Sequence, residues 1–376
     1  MTFCFFSTQY LPTPGGVERY TWNLARRCIA AEHRALVVTA SLPGLPARET
    51  DADGIEIFRL PSYPVMGGRF PVLKPFPDDA ALWAQDIDFA VIQTRMYVQN
   101  VWAARQCRHR GIPALVIDHS TGYMLHGGVA GALGRLYEHA ACGSIRRCGF
   151  PFYGVSGDVC RWLQAFGIRA AGRLPNAVDP GELERLARAE NAIDWRARLN
   201  VPQGGRLVAF VGRLIPEKGA LRLAQAVQTI PGCVLAVAGT GPEEAALGAL
   251  GGPIHALGAL PHDQIVQLLA QADVYCLPTE YAEGFPTTLL EAAACRCPIV
   301  TTHTAGTGEL LPDEDCAVFL EKADADTIRA GLNTMLADPA AARARAAKAH
   351  DTLCAQFTWD AVFAALMEAV KSAKRS

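Results

Sequence analysis

The sequence predicts an α/β chain of two doubly wound domains, each a parallel sheet with helices on both faces. Three observations carry that expectation. The chain has 376 residues, half of them hydrophobic and 19% charged, which is enough for two full cores where domains usually run about 100 to 200 residues. From Leu207 onward, short β-branched apolar runs alternate with helical segments, the pattern of a sheet buried on both faces. Residues 273–301 compress a whole strand-loop-helix-strand unit into one passage: an apolar run at 274–277, a polar loop, an Ala/Leu-rich helix opened by Pro286, and a β-branched run started by Pro298.

Taken in order, residues 2–7 read as a first strand and 9–16 as a Pro- and Gly-rich loop. Val17, Tyr20, Leu24 and Cys28 then fall at helical spacing and give a face that packs on the sheet. Gly15 and Gly16 stand at that helix's N-terminus, where missing side chains let a phosphate or sugar approach the backbone; an ordinary turn uses the same pair. No G-x-G-x-x-G follows the strand, which argues against a dinucleotide dehydrogenase. Further strands are expected at 35–40, 55–60, 89–94, 114–118, 152–155 and 173–175. Residues 61–80, rich in Pro and Gly, read as a long surface loop or an irregular acceptor-side insertion. The run 114–118 delivers His119 to a strand end, where an imidazole can polarise a sugar hydroxyl or simply satisfy backbone groups.

The polar segment 180–205 ends in Pro202-Gln-Gly-Gly, a turn before a new strand. The second domain is then expected as strand 207–211, helix 221–230, strand 234–238, helix 243–250, strand 254–257, helix 264–272 and the unit at 273–301. Ala- and Arg-rich helices of high intrinsic propensity follow at 325–336 and 341–356. Phe357-Thr-Trp359 breaks the pattern before a last amphipathic helix, 361–371, whose apolar face is Val362, Phe363, Leu366 and Val370.

Arg213 and Lys218 flank the turn after strand 207–211, at the sheet's carboxyl edge. A guanidinium and an ammonium match the roughly two charges of a diphosphate, and Lys is scarce here, six residues against 29 Arg. The loop in the 273–301 unit brings Glu283, Gly284 and Phe285 to the carboxyl end of a strand, where open α/β sheets bind ligands. Free N–H groups of the helix opened by Pro286 and Thr287 face the same place. Glu291 lies between one and two turns into that helix and reaches the ligand from the other side. Without the surrounding motifs the two glutamates would read as a capping acid and a solvated one. Gly239-Thr-Gly-Pro-Glu-Glu is a second strand-to-helix turn; its acids suit the helix dipole and Gly241 helps to admit a nucleotide.

Glu283-Gly-Phe-Pro, with Glu291 after seven intervening residues, resembles the paired-glutamate motif of retaining GT-B glycosyltransferases of the family 4 type (glycosyl transferases group 1). Gly212-Arg213-Leu-Ile-Pro-Glu-Lys218-Gly219 reinforces the resemblance, which covers nearly the whole chain. It implies two Rossmann-like domains facing a central cleft. The acceptor-side domain is 1–178, completed by a C-terminal helix returning at 358–376. The nucleotide-sugar domain is 179–357, and Pro175-Asn-Ala-Val-Asp179 resembles the crossing between them. The resemblance further implies a nucleoside-diphosphate sugar as donor, a UDP-sugar ahead of a GDP-sugar, and no cofactor. Glu283 would bind hydroxyls of the donor sugar, Glu291 the ribose, and Arg213 with Lys218 the diphosphate. His119 would touch the donor sugar, and backbone groups of Gly284, Phe285, Pro286 and Thr287 would take sugar and phosphate. The strand end 255–260, including Leu260, resembles the base-binding segment, and Gly15 and Gly16 would border the donor. Ala305-Gly-Thr-Gly-Glu309 resembles a loop closing the donor side, although the glycine usual before the next strand is absent near Cys316. The family's common role points to a glycan or lipid-linked acceptor in cell-envelope or exopolysaccharide assembly.

Composition bounds the partners. Net charge is −2, with a basic first half and an acidic second half; the basic half suits an anionic membrane surface or a lipid-diphosphate acceptor, or is plain solvated charge. No nucleic-acid partner is expected. With no run of roughly 18 uncharged apolar residues, and an N-terminus that lacks a basic start, the reading is a cytoplasmic protein with peripheral contact at the membrane's inner face. Twelve cysteines without a C-x-x-C pair read as reduced, buried thiols, not disulfides or metal ligands. Asp51-Ala-Asp53 and Asp324-Ala-Asp326 lie away from the expected diphosphate, so no metal and no metal dependence is expected. Two other classes share parts of the pattern. A nucleotide-sugar epimerase uses the same architecture, but only transferase motifs are present; a non-catalytic sugar-binding protein would carry an export signal.

Overall fold

A computed structural model describes the chain except for residues 14, 69, 76–78, 126, 282–284, 305 and 376. It falls into two compact units, Met1–Asn176 together with Trp359–Ser376, and Ala177–Thr358. Each unit is a doubly wound, Rossmann-like sheet with its own core.

The strands of the first unit are β1 (Thr2–Phe6), β2 (Arg34–Ala40), β3 (Arg48–Thr50), β4 (Glu56–Leu60), β5 (Ser62–Val65), β6 (Phe70–Leu73), β7 (Phe89–Gln93), β8 (Ala114–Asp118), β9 (Phe152–Gly154) and β10 (Gly172–Arg173). Eight of them form one sheet in the order β10-β9-β8-β7-β1-β2-β4-β3, parallel except for β3 against β4. All five residues of β1, Thr-Phe-Cys-Phe-Phe, are buried, as a central parallel strand covered on both faces requires. Strand order reverses at the β1/β7 pair, so a crevice opens beyond their carboxyl ends.

Two stretches depart from the sequence reading. Arg48–Thr50 adds an antiparallel edge strand, and the expected loop at 61–80 contains the hairpin β5/β6 and a short helix, Ala80–Trp83. The hairpin forms because Phe70 stacks on Tyr97 with centroids 5.0 Å apart and Leu73 is buried, anchors that come from elsewhere in the fold. The last helix is also longer than expected, Trp359–Arg375. It belongs to the first unit, burying Val362, Leu366 and Val370 while Phe363 is half-buried. Its first turn is pinned by the Trp359 ring at 5.4 Å from Tyr20 and by Asp360 at 2.7 Å from Arg27.

The second unit has β11 (Arg206–Val211), β12 (Cys233–Ala238), β13 (Ile254–Gly258), β14 (Val274–Leu277), β15 (Ile299–Thr302) and β16 (Val318–Leu320). Their order, β13-β12-β11-β14-β15-β16, is wholly parallel. Order reverses at β11/β14, so the turns leaving these two strands border this unit's crevice. All twelve cysteines are free thiols, nine of them buried.

Candidate functional site

The turn after β11 carries Gly212, Arg213 and the short 3-10 segment Pro216–Lys218. It is fixed from both sides by backbone approaches that exclude side chains. Gly212 N–H donates to the Ala238 carbonyl at 3.0 Å and Leu214 N–H to Thr240 at 2.9 Å. A Cβ on Gly239 would lie 1.8 Å from the Gly212 carbonyl oxygen, and one on Gly241 would lie 2.4 Å from that of Leu214, so the β12 exit needs glycine at both positions. On the other flank Gly219 is left-handed, φ +76°, and its absent Cβ leaves room for the Pro278 carbonyl at the β14 exit. Glu280 N–H then donates to the Glu217 carbonyl at 2.7 Å, and Arg222 pairs with Glu280 at 3.1 Å.

This docking sets the two cations over one ring. The Arg213 guanidinium stands 4.7 Å from the centroid of Tyr281, and Lys218 Nζ stands 5.7 Å from it. Arg213 is exposed whereas Lys218 is buried, 5% exposed. The aromatic face attracts both charges and offsets part of their mutual repulsion. Tyr281 is a residue that sequence reasoning missed; its only signal was an aromatic next to the loop that carries Glu283.

The helix Thr287–Ala294 follows, with Pro286 before it and no side chain capping its first turn. It buries Leu289, Leu290 and Ala292, and Thr288 accepts a 2.7 Å hydrogen bond from the Tyr275 hydroxyl on β14. Thr287 is exposed at its mouth. Phe285 is buried against Phe357 at 5.3 Å, and a Cβ on left-handed Gly306 would meet its ring at 2.3 Å. The loops at 285 and 306 are thereby held together. Glu283 and Gly284 lie outside the described residues, as does Ala305. Glu291 is largely buried, and its Oε1 is 3.1 Å from Nε2 of His262, the first residue of the helix His262–Gln271. Two residues before His262, half-buried Leu260 packs against the core. Glu291 is therefore tied to the exit of β13, a link through His262 that the sequence did not announce.

The remaining expected residues belong to the first unit. Gly15 caps the helix Gly16–Ala30 with an extended backbone, and its missing Cβ leaves space for the Glu18 carboxylate, which would otherwise sit 2.0 Å away. Nothing lies within 4 Å of a Cβ built on Gly16. Glu18 is buried, and burial pushes its carboxyl above the ordinary value. His119 follows β8. Its Nε2 is 2.8 Å from Gln93 Oε1, its ring lies edge-on to Tyr20 at 4.9 Å, and burial pushes its pKa down to about 3, so the imidazole is neutral. Behind it Arg95, fully buried, bonds Asp118, Ser120 at 2.8 Å and Glu138 at 3.2 Å, and Glu138 accepts from Met124 N–H at 2.7 Å. This cluster ties the loop after His119 to the sheet; burial raises the Asp118 carboxyl despite the guanidinium against it.

The two Asp-x-Asp spacings are committed elsewhere. Asp51 accepts from Asp53 and Ile55 N–H, and Asp53 pairs with Arg26 at 3.1 Å. Asp324 caps the helix Ala325–Ala337, and Asp326 pairs with Arg329 at 2.9 Å. Among the described residues no group of three His, Cys, Asp or Glu side chains is disposed to hold a metal ion.

Comparison with known proteins gives the same picture from sequence and from shape. The profile described as Glycosyltransferase Family 4 matches residues 14–182, and that described as Glycosyl transferases group 1 matches residues 191–351, so the pair spans most of the chain. A glycogen synthase of Mycobacterium tuberculosis (strain CDC 1551 / Oshkosh) is 26% identical over 411 residues, covering 100% of this chain and 95% of the relative. The lipopolysaccharide core biosynthesis glycosyltransferase LpsE of Rhizobium meliloti (strain 1021) is 27% identical over 185 residues, 48% of this chain and 54% of its own. Among solved structures, Anabaena Alr3699/HepE in complex with UDP superposes with a TM-score of 0.75 at 17% identity, covering 99% of this chain and 100% of that one.

Proposed function

The chain belongs to the family 4 glycosyltransferases, hexosyl-transferring enzymes of GT-B fold, and from that premise we propose a retaining transfer from a nucleoside-diphosphate sugar to a lipid-linked glycan at the cytoplasmic face of a membrane. The observation that carries the donor assignment is the meeting of Arg213 and Lys218 on the Tyr281 ring at the reversal point of the second sheet. A paired guanidinium and ammonium beside an uncapped helix N-terminus suits a diphosphate, whose charge grows as the bond to the anomeric carbon breaks.

In this reading Arg213 and Lys218 neutralise the departing diphosphate, and first-turn backbone groups from Phe285 to Thr287, with Gly284, take sugar and phosphate oxygens. Glu291, oriented by His262, holds the ribose, and the strand end at Leu260 borders the base. Glu283 grips hydroxyls of the donor sugar, and the role proposed for neutral His119 is one hydrogen bond to a sugar hydroxyl. The acceptor hydroxyl attacks the face that the diphosphate leaves, so the anomeric configuration is retained, and a phosphate oxygen takes its proton. Uridine is favoured as the base because the Anabaena neighbour is described in complex with UDP. The envelope role draws on the lipopolysaccharide enzyme among the relatives.

A panel of UDP-, GDP- and ADP-sugars tests the donor by thermal shift, since a ligand at a hundred times its Kd adds about 2.7 kcal/mol of stability. One UDP-sugar is expected to raise Tm, and NMR of the product is expected to show the donor's own anomeric configuration. An inverted product, or a panel with no stabilising nucleotide sugar, would sink the proposal.

A further inference from the structure

We propose that the first unit docks on an anionic lipid bilayer through the outer face of the helix Gly128–Arg146 and the tip of the β5/β6 hairpin. Among the described residues, every large apolar side chain that is exposed, Met1 apart, lies on these two elements. Val129, Leu133 and Leu136 are 77%, 62% and 69% exposed, and their i, i+4, i+7 spacing puts them in one line along the helix. Tyr63, Val65 and Met66 are 52%, 41% and 49% exposed on the hairpin. The two elements are neighbours, because Phe70, paired with Val65 in the hairpin, meets Tyr137 of the helix edge-on at 6.0 Å. A folded chain keeps large apolar side chains scattered when nothing covers them; six gathered on adjoining elements mark a contact surface.

Charge identifies what covers it. Between residues 89 and 157 the chain has only two acidic residues, Asp118 and Glu138, and both are fully buried on Arg95. The same stretch exposes Arg105, Arg108, Arg110, Arg135, Arg146 and Arg147. Arg147 falls five turns after Val129, at the end of the apolar line. An apolar stripe flanked by arginines with no exposed acid is the composition of a helix lying in the lipid headgroup plane, its side chains entering the acyl boundary while cations meet acidic headgroups. No helix among the described residues is long and apolar enough to cross a membrane, so the contact is with one leaflet. The docking deepens the lipid-linked acceptor reading and rests on it for its purpose, holding the enzyme where such an acceptor is presented.

The test is co-sedimentation with vesicles of phosphatidylcholine alone and of phosphatidylcholine mixed with phosphatidylglycerol. The wild-type chain is expected to bind the mixed vesicles, weakly or not at all the neutral ones, and to lose binding as salt rises. The double variant Leu133→Ser/Leu136→Ser is expected to weaken binding about tenfold or more, and Arg135→Gln/Arg147→Gln about fivefold per arginine. Both should keep the wild-type Tm, since the altered side chains are exposed. Equal binding to both vesicles, or variants that bind like wild type, would overturn the docking. So would a wild-type dimer in solution that the leucine pair dissolves without any vesicle binding, which would assign this face to a second copy. Transfer to a lipid-linked acceptor in detergent reports on the function separately: it persists if only the docking is wrong and is absent if the acceptor reading is wrong.

Discussion

Lys218 is an ammonium carried into the protein interior, an arrangement that costs free energy unless other groups face the charge. Tyr281 supplies one such face, and a bound diphosphate would supply a stronger one. Lys218→Ala is therefore expected to lower kcat/KM by about thirtyfold to a thousandfold, the loss of about 2 to 4 kcal/mol of charge stabilisation in a closed site, while Tm changes little. Steady-state kinetics on the purified variant decides it, and near-normal turnover would remove Lys218 from the mechanism. Tyr281→Ala should raise the donor KM severalfold, because each cation loses about 0.5 to 1 kcal/mol of ring attraction. Tyr281→Phe keeps the ring and should behave as wild type. His119 titrates in the opposite sense to a paired histidine. Its folded pKa of about 3 lies below the unfolded value, so as pH falls below roughly 6.5 the unfolded chain takes up a proton that the native chain refuses. Stability drains away between those two values, and His119→Gln should flatten that part of a Tm-against-pH curve.

At the level of elements, the site is made by turns that touch backbone to backbone. Gly239 packs on Gly212 at a separation no Cβ tolerates, with φ +144°, so Gly239→Ala must push the β11 turn out of place. The expected result is a fall of about 2 kcal/mol or more in stability together with loss of the thermal shift by donor. Gly248→Ala, in the exposed helix Glu244–Leu250 with nothing within 4 Å, is the control and should be neutral or stabilising by up to about 1 kcal/mol. The elements around this site were legible because their signals are local. Val274–Leu277, Pro286 and the Ala/Leu run each state their own conformation, and the Gly-flanked Lys218 stands out against a chain that prefers Arg. The hairpin at Ser62–Val65 and Phe70–Leu73 was not legible, because what stabilises it is the distant ring of Tyr97. Arg95 and His262 likewise drew no notice in the sequence, because Asp118 and Glu138 close around the one and Glu291 comes within reach of the other only in the fold. Side chains whose partners lie tens of residues away leave no mark in their own neighbourhood of the sequence.

For the molecule as a whole, the chain leaves the first unit after Asn176 and re-enters it at Trp359, with Val178 N–H bonded to the Phe357 carbonyl at 3.0 Å where the two passages run side by side. The first unit is thus discontinuous in sequence, and the helix Trp359–Arg375 is part of its core. Ending the chain at Thr358 would strip the cover that Trp359, Val362, Leu366 and Val370 provide. At about 1.5 to 3 kcal/mol for each large apolar side chain, the loss is of the order of a domain's whole stability. The truncated chain is expected to show the loss of the first unit's cooperative melt and to bind a hydrophobic dye, read by calorimetry and dye fluorescence. Retention of both native transitions would mean that the helix is dispensable.

That return of the chain also orders events on the ribosome. The residues that finish the first unit are translated after every residue of the second, so a nascent chain must carry its opening sheet with Tyr20 uncovered while an entire further domain is made. Termination within the codons for residues 359–370 therefore damages a unit whose sheet was made before the whole of the second.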